Sequence, residues 1–168
     1  MPSNTKVSFF LSQQLVPAVI NGLINGGIAW SMHHNADSLG LWERGAYSQD
    51  LLATGLLLPS ITWFIVRPLL RSQAAKGKAP DLQGVPTPWL DRWMPGSLWG
   101  GALRIGLIGM VLVGGAGVLA MTLAGAPDFS GPVYAVVKGI YAGLLTMALQ
   151  PVMVFAALRP VARAQSGA

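Results

Sequence analysis

Four long apolar stretches constrain this chain more than any motif does. They run roughly over residues 7–32, 51–70, 102–124 and 132–158, and a helix needs about 20 residues to cross a bilayer. The apolar residues are continuous rather than alternating, which predicts helices instead of barrel strands. Only 10% of the 168 residues are charged, against about 25% in an ordinary soluble domain. We therefore expect an all-α membrane protein with four transmembrane helices.

The basic residues predict the orientation of these helices. Of the 11 lysines and arginines, nine fall on one side of the predicted spans, Arg44 falls on the other, and Lys138 lies inside the fourth span. Because lysine and arginine are enriched in cytoplasmic loops, we expect a cytoplasmic (inner) membrane protein with both termini in the cytoplasm. The basic residues flank spans and do not form one soluble face, so no nucleic-acid partner is expected. The expected partner is the bilayer itself, including its anionic lipids.

The chain divides into two similar halves. We predict a first helical hairpin over residues 1–78, a Pro/Trp-rich interfacial connector over 79–101, and a second hairpin over 102–168. Residues 56–73 align with 148–165 at an offset of 92, with six identities in 18 positions. The identical pairs are Leu57/Leu149, Pro59/Pro151, Arg67/Arg159, Pro68/Pro160, Arg71/Arg163 and Gln73/Gln165. This alignment predicts two tandem, parallel repeats that form a bundle. The alternative is that the two segments converged, since cytoplasmic helix ends favour arginine and proline.

The second helix of each half carries a recurring proline and arginine pattern. It consists of Pro59 with Arg67-Pro68-Leu69-Leu70-Arg71, and in part of Pro151 with Arg159-Pro160-Val161-Ala162-Arg163. This pattern resembles a family of small bacterial inner-membrane two-helix hairpin proteins of unknown function. The resemblance implies a duplicated hairpin fold, and it implies no activity.

Three amides predict a polar stripe on the first helix. At 100° per residue, Gln14, Asn21 and Asn25 fall within about 40° of one another. Lipid offers them no hydrogen-bond partner, so they need polar partners in the protein. On the fourth helix, Thr146 and Gln150 lie on the predicted inward face. These five side chains either line a solute path or form helix–helix hydrogen bonds, which are the commoner case and contribute about 0.6–2 kcal/mol each.

Lys138 is the one charge well inside a predicted span. Tyr134 and Tyr141 lie on nearly the same helical face, at i−4 and i+3. The lysine is therefore either part of an anion or aromatic site, or a snorkelling side chain whose stem reaches the outer interface. Candidate carboxylate partners at that interface are Asp50, Glu43 and Asp128.

The arginine pairs and the connector predict contacts with the membrane surface. Positive-inside topology alone accounts for arginines at these helix ends, but each i, i+4 pair is also placed to hold an anionic lipid phosphate. The pairs are Arg67 with Arg71 and Arg159 with Arg163. In the connector, Trp89, Trp93 and Met94 share a face at helical spacing, which predicts a short amphipathic helix on the inner leaflet.

Catalytic chemistry has little support in the sequence. No Asp or Glu lies within a predicted span, the adjacent histidines at 33 and 34 fall in an exposed loop, and there are no cysteines. We expect no enzyme activity, no metal and no cofactor. The function we predict is a small transporter or channel for a neutral or anionic solute. The alternative is a non-catalytic accessory or scaffolding subunit, assembled as a homo-oligomer or within a membrane complex.

Overall fold

Helices make up most of the chain that the structure describes. The computed structural model describes residues 3–43, 45–79, 88–94 and 96–158. Four segments in this part are long and apolar enough to cross a membrane, and they pack together, which confirms the all-α transmembrane fold. The helices are α1 (Ser3–His33), α2 (Tyr47–Ala75), α3 (Pro88–Trp93), α4 (Leu98–Ile108), α5 (Gly115–Leu123) and α6 (Gly131–Leu158), with a π-helical segment (Gly109–Gly114) joining α4 to α5.

The order of the helices in space differs from their order along the chain. Among the described helices, α1 packs extensively on α6 alone, while α2 packs on α6 and on the α4–π–α5 rod. The helix α6 therefore lies between α1 and α2, the two helices that the sequence places in one hairpin. Each half of the chain contributes its first helix to the other half's second helix, so the halves interlock.

The third span is interrupted by a wider helical turn that the sequence did not predict. Residues Gly109–Gly114 are π-helical, a geometry that is rare and usually short. A Cβ added at Gly109 would clash with the Gly55 carbonyl of α2. That carbonyl has lost its helical donor because Pro59 has no N–H. The Cα hydrogen of Gly109 therefore faces an acceptor that the proline freed, a weak contact that holds the two helices close.

The loops 34–46 and 124–130 are joined to each other at one end of the molecule, here called the loop end. Leu39 and Phe129 form an isolated antiparallel bridge, with N···O distances of 2.8 and 3.2 Å. Tyr47 donates its hydroxyl to the Pro127 carbonyl at 2.9 Å. A Cβ at Gly131 would collide with the His33 carbonyl, so α6 starts directly against the end of α1. These contacts fix α1, α2 and α6 relative to one another at the loop end.

The opposite end, here called the connector end, contains α3. Leu90 and Met94 are buried in the same core cluster as Trp63 of α2, whereas Trp93 is exposed. The predicted short helix is therefore present, but Met94 points into the core and does not share the exposed face of Trp93. The side chain of Trp89 lies outside the described residues. Ser97 caps α4 by accepting from the Gly100 N–H at 3.1 Å.

Candidate functional site

Two of the three amides of α1, Gln14 and Asn21, form hydrogen bonds to α6. Asn21 donates through Nδ2 to Oγ1 of Thr146 at 2.9 Å, and Thr146 in turn donates to the Ala142 carbonyl. Asn25 donates to the Asn21 carbonyl of its own helix. The structure thus brings Gln14, Asn21 and Thr146 together at the contact between α1 and α6, which we call the seam. Gln14 and Asn21 act there as helix contacts.

Gln14 has a specific role that the proline of α6 creates. Pro151 removes the N–H that would pair with the Met147 carbonyl four residues earlier. Gln14 donates through Nε2 to this carbonyl at 3.0 Å. A side chain from α1 therefore replaces the backbone donor that α6 lacks. Gln14 of the polar stripe thus compensates for Pro151.

Glycines let α1 and α6 approach closely beside these bonds. A Cβ at Gly22 would lie 3.0 Å from the Gly139 carbonyl oxygen, and one at Gly26 would lie 3.1 Å from the Ala135 carbonyl oxygen. Small residues at such crossings are typical of helix packing in membranes, where lipid supplies no hydrophobic drive for association. The seam is consequently narrow and has backbone-to-backbone contact.

An open apolar groove of about 640 Å³ follows this seam. Leu23 and Val136, both more than half exposed, form parts of its walls, and Gly27 also lines it, with nothing within 4 Å of an added Cβ. No charged side chain is among the described residues that line it. We call this surface the α1–α6 groove. Its chemistry matches an apolar helix or a lipid chain, and it offers a polar solute no partners.

Gln150 is placed differently from the other four predicted polar residues. Its side chain is fully buried, and neither amide atom has a hydrogen-bond partner among the described residues. An unpaired buried amide costs about 1–3 kcal/mol by mutational measures. Gln150 is one turn after Thr146 on α6, so the structure places it near the seam without joining it to the hydrogen bonds there.

Lys138 forms a buried ion pair at the loop end. Its Nζ lies 2.5 Å from both carboxylate oxygens of Asp50, and the Tyr134 hydroxyl donates to the same carboxylate at 2.5 Å. The lysine is 4% exposed, so it is held inside the protein and does not snorkel. Of the three carboxylates considered from the sequence, Asp50 is the partner. Tyr141, the other predicted neighbour, instead donates to the Leu51 carbonyl at 3.0 Å.

The position of Asp50 corrects the expectation that no acid lies within a span. Helix α2 begins at Tyr47, one turn before the apolar run, so Asp50 is in its first turn. The earlier start is stabilised by Tyr47, whose N–H donates to the Gly40 carbonyl, and by Ser48, whose hydroxyl donates to the Leu41 carbonyl. These polar residues broke the apolar pattern in the sequence, yet they are buried by the joined loops.

Arg67 is placed inside the protein, away from lipid headgroups. It is 5% exposed, its guanidinium donates to the Gly96 carbonyl, and it lies over the Trp63 ring at 5.5 Å from the centroid. Its donors therefore fasten the connector to α2. Arg71 remains partly exposed on the same helix, while Arg159 and Arg163 lie outside the described residues.

Comparisons with protein-family models, curated proteins and solved structures found no match. The likeness to two-helix hairpin proteins therefore stays a prediction. Within the described residues, no cluster of three metal-ligating side chains is present.

Proposed function

We propose that this chain is a non-catalytic accessory subunit of a membrane complex, and that its α1–α6 groove receives an apolar transmembrane helix of a partner. One observation carries the proposal. The amides of α1 that were candidates for a solute path are hydrogen-bonded, while the apolar surface beside them is uncovered. Small residues such as those lining this groove let a neighbouring helix approach closely. Among its described lining residues, the groove has no charged side chain that would bind a polar solute.

The exposure of α1 supports the same role. Its most apolar window is only 11% buried, against 50% for α6. The helix is held to the rest of the protein along one narrow face, and the opposite faces are free to meet a neighbour. The contacts at the loop end hold α1 in place against α6, so the groove is already formed before a partner helix binds.

The test is to fill the groove without disturbing the fold. Gly27→Leu places a side chain where an added Cβ has no neighbour within 4 Å. Tagged wild-type chain and the variant are isolated from native membranes in mild detergent, and co-purifying membrane proteins are quantified by mass spectrometry. We expect at least one protein to be recovered with the wild type and reduced at least about tenfold in the variant, since a blocked contact worth 1.4 kcal/mol already gives that ratio.

Gly115→Leu is the matched control. It makes the same substitution on α5, where the nearest neighbour of the added Cβ is the Met110 carbonyl oxygen at 3.8 Å. The control is expected to retain the partner. Equal recovery with wild type, Gly27→Leu and Gly115→Leu would contradict the proposal. An untagged copy of this chain among the lost proteins would identify the partner as a second copy.

A transporter or channel for a neutral or anionic solute is the second candidate. It is favoured by the unpaired amide of Gln150 and by the buried charge of Lys138. The path would follow the α1 amides and Gln150, with Lys138 at its mouth. Liposome flux in the wild type that is abolished by both Asn21→Leu and Asn25→Leu would favour transport. Flux that is unchanged in both variants would refute this path.

We also propose the cytoplasmic membrane as the location, with both termini in the cytoplasm. The support is the excess of lysine and arginine at the termini and the connector end. Single cysteines introduced as Lys78→Cys and Asp37→Cys test it, because the chain has no other cysteine. A membrane-impermeant thiol reagent added outside should label only position 37, and the reverse result would overturn the orientation.

We also propose that the two halves of the chain are a tandem duplication. It is supported by the reciprocal packing, in which α1 lies on α6 as the α4–π–α5 rod lies on α2. A pseudo-twofold axis between α2 and α6 would relate the two contacts. Co-expression of residues 1–78 with 79–168 tests this reciprocal packing, since the extensive contacts between described helices join the two halves. The fragments should co-purify, and independent monomeric fragments would contradict the reciprocal packing.

A further inference from the structure

A second groove, of about 420 Å³, lies at the connector end on the side of α4. It is lined by Arg92 and Trp93 of α3 and by Arg104, Leu107 and Ile108 of α4 and its C-terminal turn. Arg104 is six residues into α4, so it lies about 9 Å along the helix from its start. Leu107 and Ile108 lie one turn further into the span. The groove is thus cationic at its mouth and apolar below.

Arg104 is held in position by the end of α3. Its Nη1 donates to the Trp93 carbonyl at 2.8 Å and contacts the Arg92 carbonyl at 3.4 Å. These are C-terminal carbonyls of α3, which a helix leaves without backbone donors. One nitrogen of the guanidinium is used in this way, and Arg104 is also among the residues that line the groove. Arg92 contributes the second positive charge from α3.

Among the side chains that the structure describes, the ion pair is Lys138 with Asp50 at the other end of the molecule; the side chain of Asp91, next to Arg92, lies outside them. Two guanidiniums at one groove favour an anion between them, and the guanidinium fork matches the oxygens of a phosphate. Trp93, which lines the groove, is 60% exposed, and Trp99 in the first turn of α4 is 77% exposed. Tryptophan at a helix end is typical of the headgroup depth of a bilayer.

We propose that this groove binds the phosphate of an anionic phospholipid from the leaflet at the connector end. The phosphate oxygens accept from Arg92 and Arg104, and an acyl chain packs along Leu107 and Ile108. Free phosphate has the same headgroup chemistry, but it has no part that would contact the apolar wall. The apolar wall is therefore the observation that favours a lipid.

The experiment is lipid binding to the purified full chain by native mass spectrometry, with phosphatidylglycerol or phosphatidylcholine added to the detergent. We expect the wild type to prefer phosphatidylglycerol. Arg92→Gln should weaken that binding about fivefold, the contribution of one basic residue at a membrane surface. Lys78→Gln, which removes an exposed charge at the same end, should leave it unchanged. Millimolar inorganic phosphate should not compete.

Arg104→Gln is the second variant, and it is expected to weaken binding at least as much. Because Arg104 also fastens α3, a loss seen with Arg104→Gln and not with Arg92→Gln would overturn the site as a structural effect. Equal losses for Lys78→Gln and Arg92→Gln would overturn it as unspecific attraction. Competition by inorganic phosphate would overturn the lipid assignment.

Discussion

The ion pair between Lys138 and Asp50 makes an unequal prediction for its two partners. The side chain of Lys138 is 6% exposed and that of Asp50 is 33% exposed. Asp50→Leu leaves a buried ammonium without a counter-charge, which we expect to cost about 3–5 kcal/mol of unfolding free energy. Lys138→Met leaves a carboxylate that water reaches and that Tyr134 still donates to, so the expected cost is about 1–3 kcal/mol.

Removing both charges should recover part of the stability that Asp50→Leu loses. Replacing a buried pair with apolar residues of similar volume is often neutral, but here the Tyr134 hydroxyl would lose its acceptor. The double variant Asp50→Leu/Lys138→Met is therefore expected to stay about 1–3 kcal/mol below wild type. Adding Tyr134→Phe should bring the triple variant to within about 1 kcal/mol of it.

Reversible unfolding in mixed micelles, followed by circular dichroism, measures all five proteins. The order expected is wild type close to the triple variant, then Lys138→Met and the double variant, then Asp50→Leu as the least stable. Equal losses in the two single variants would refute the argument from burial. A triple variant less stable than either single variant would show that the charges do more than join α2 to α6.

Three further predictions concern the α1–α6 seam and the π-helical segment, all read by the same unfolding assay. Gln14→Leu should cost about 1 kcal/mol by leaving the Met147 carbonyl unpaired, and almost nothing in a Pro151→Ala background, where the backbone N–H returns; equal costs in both backgrounds would contradict this pairing. Gln150→Met should raise stability by about 1–3 kcal/mol, and a loss instead would indicate a ligand for the amide. Gly109→Ala should cost about 1–3 kcal/mol through overpacking against α2, and a neutral effect would show that this close approach is not required.

The helices and their approximate bounds were predictable because bilayer-spanning runs are strong local patterns. For the hydrogen bond across the seam, the sequence predicts the acceptor but not the donor. The position of Pro151 identifies which carbonyl lacks a donor, but the sequence alone does not show that Gln14 would supply it, because that depends on α1 lying beside α6. The same holds for Lys138, where Asp50 was one of three candidate carboxylates until the joined loops fixed the start of α2.

Other features left no readable signal. The π-helical segment has the apolar composition of an ordinary helix, and only the glycine at 109 hints at a close approach. Arg67 and Arg104 look alike in the sequence, as basic residues near helix ends. Their surroundings separate them: Arg67 is buried against Trp63, while Arg104 lines an open groove. Burial of this kind is decided by the path of the connector, which local patterns do not encode.

The most direct test of the proposed role is photocrosslinking in native membranes. A photoreactive side chain replaces Leu23, which is 73% exposed in the wall of the α1–α6 groove, or Leu57, which is 55% exposed on α2 outside it. A partner helix in the groove predicts a discrete protein adduct from position 23 and none from position 57, and Gly27→Leu should abolish that adduct. Lipid adducts alone from both positions would contradict the account.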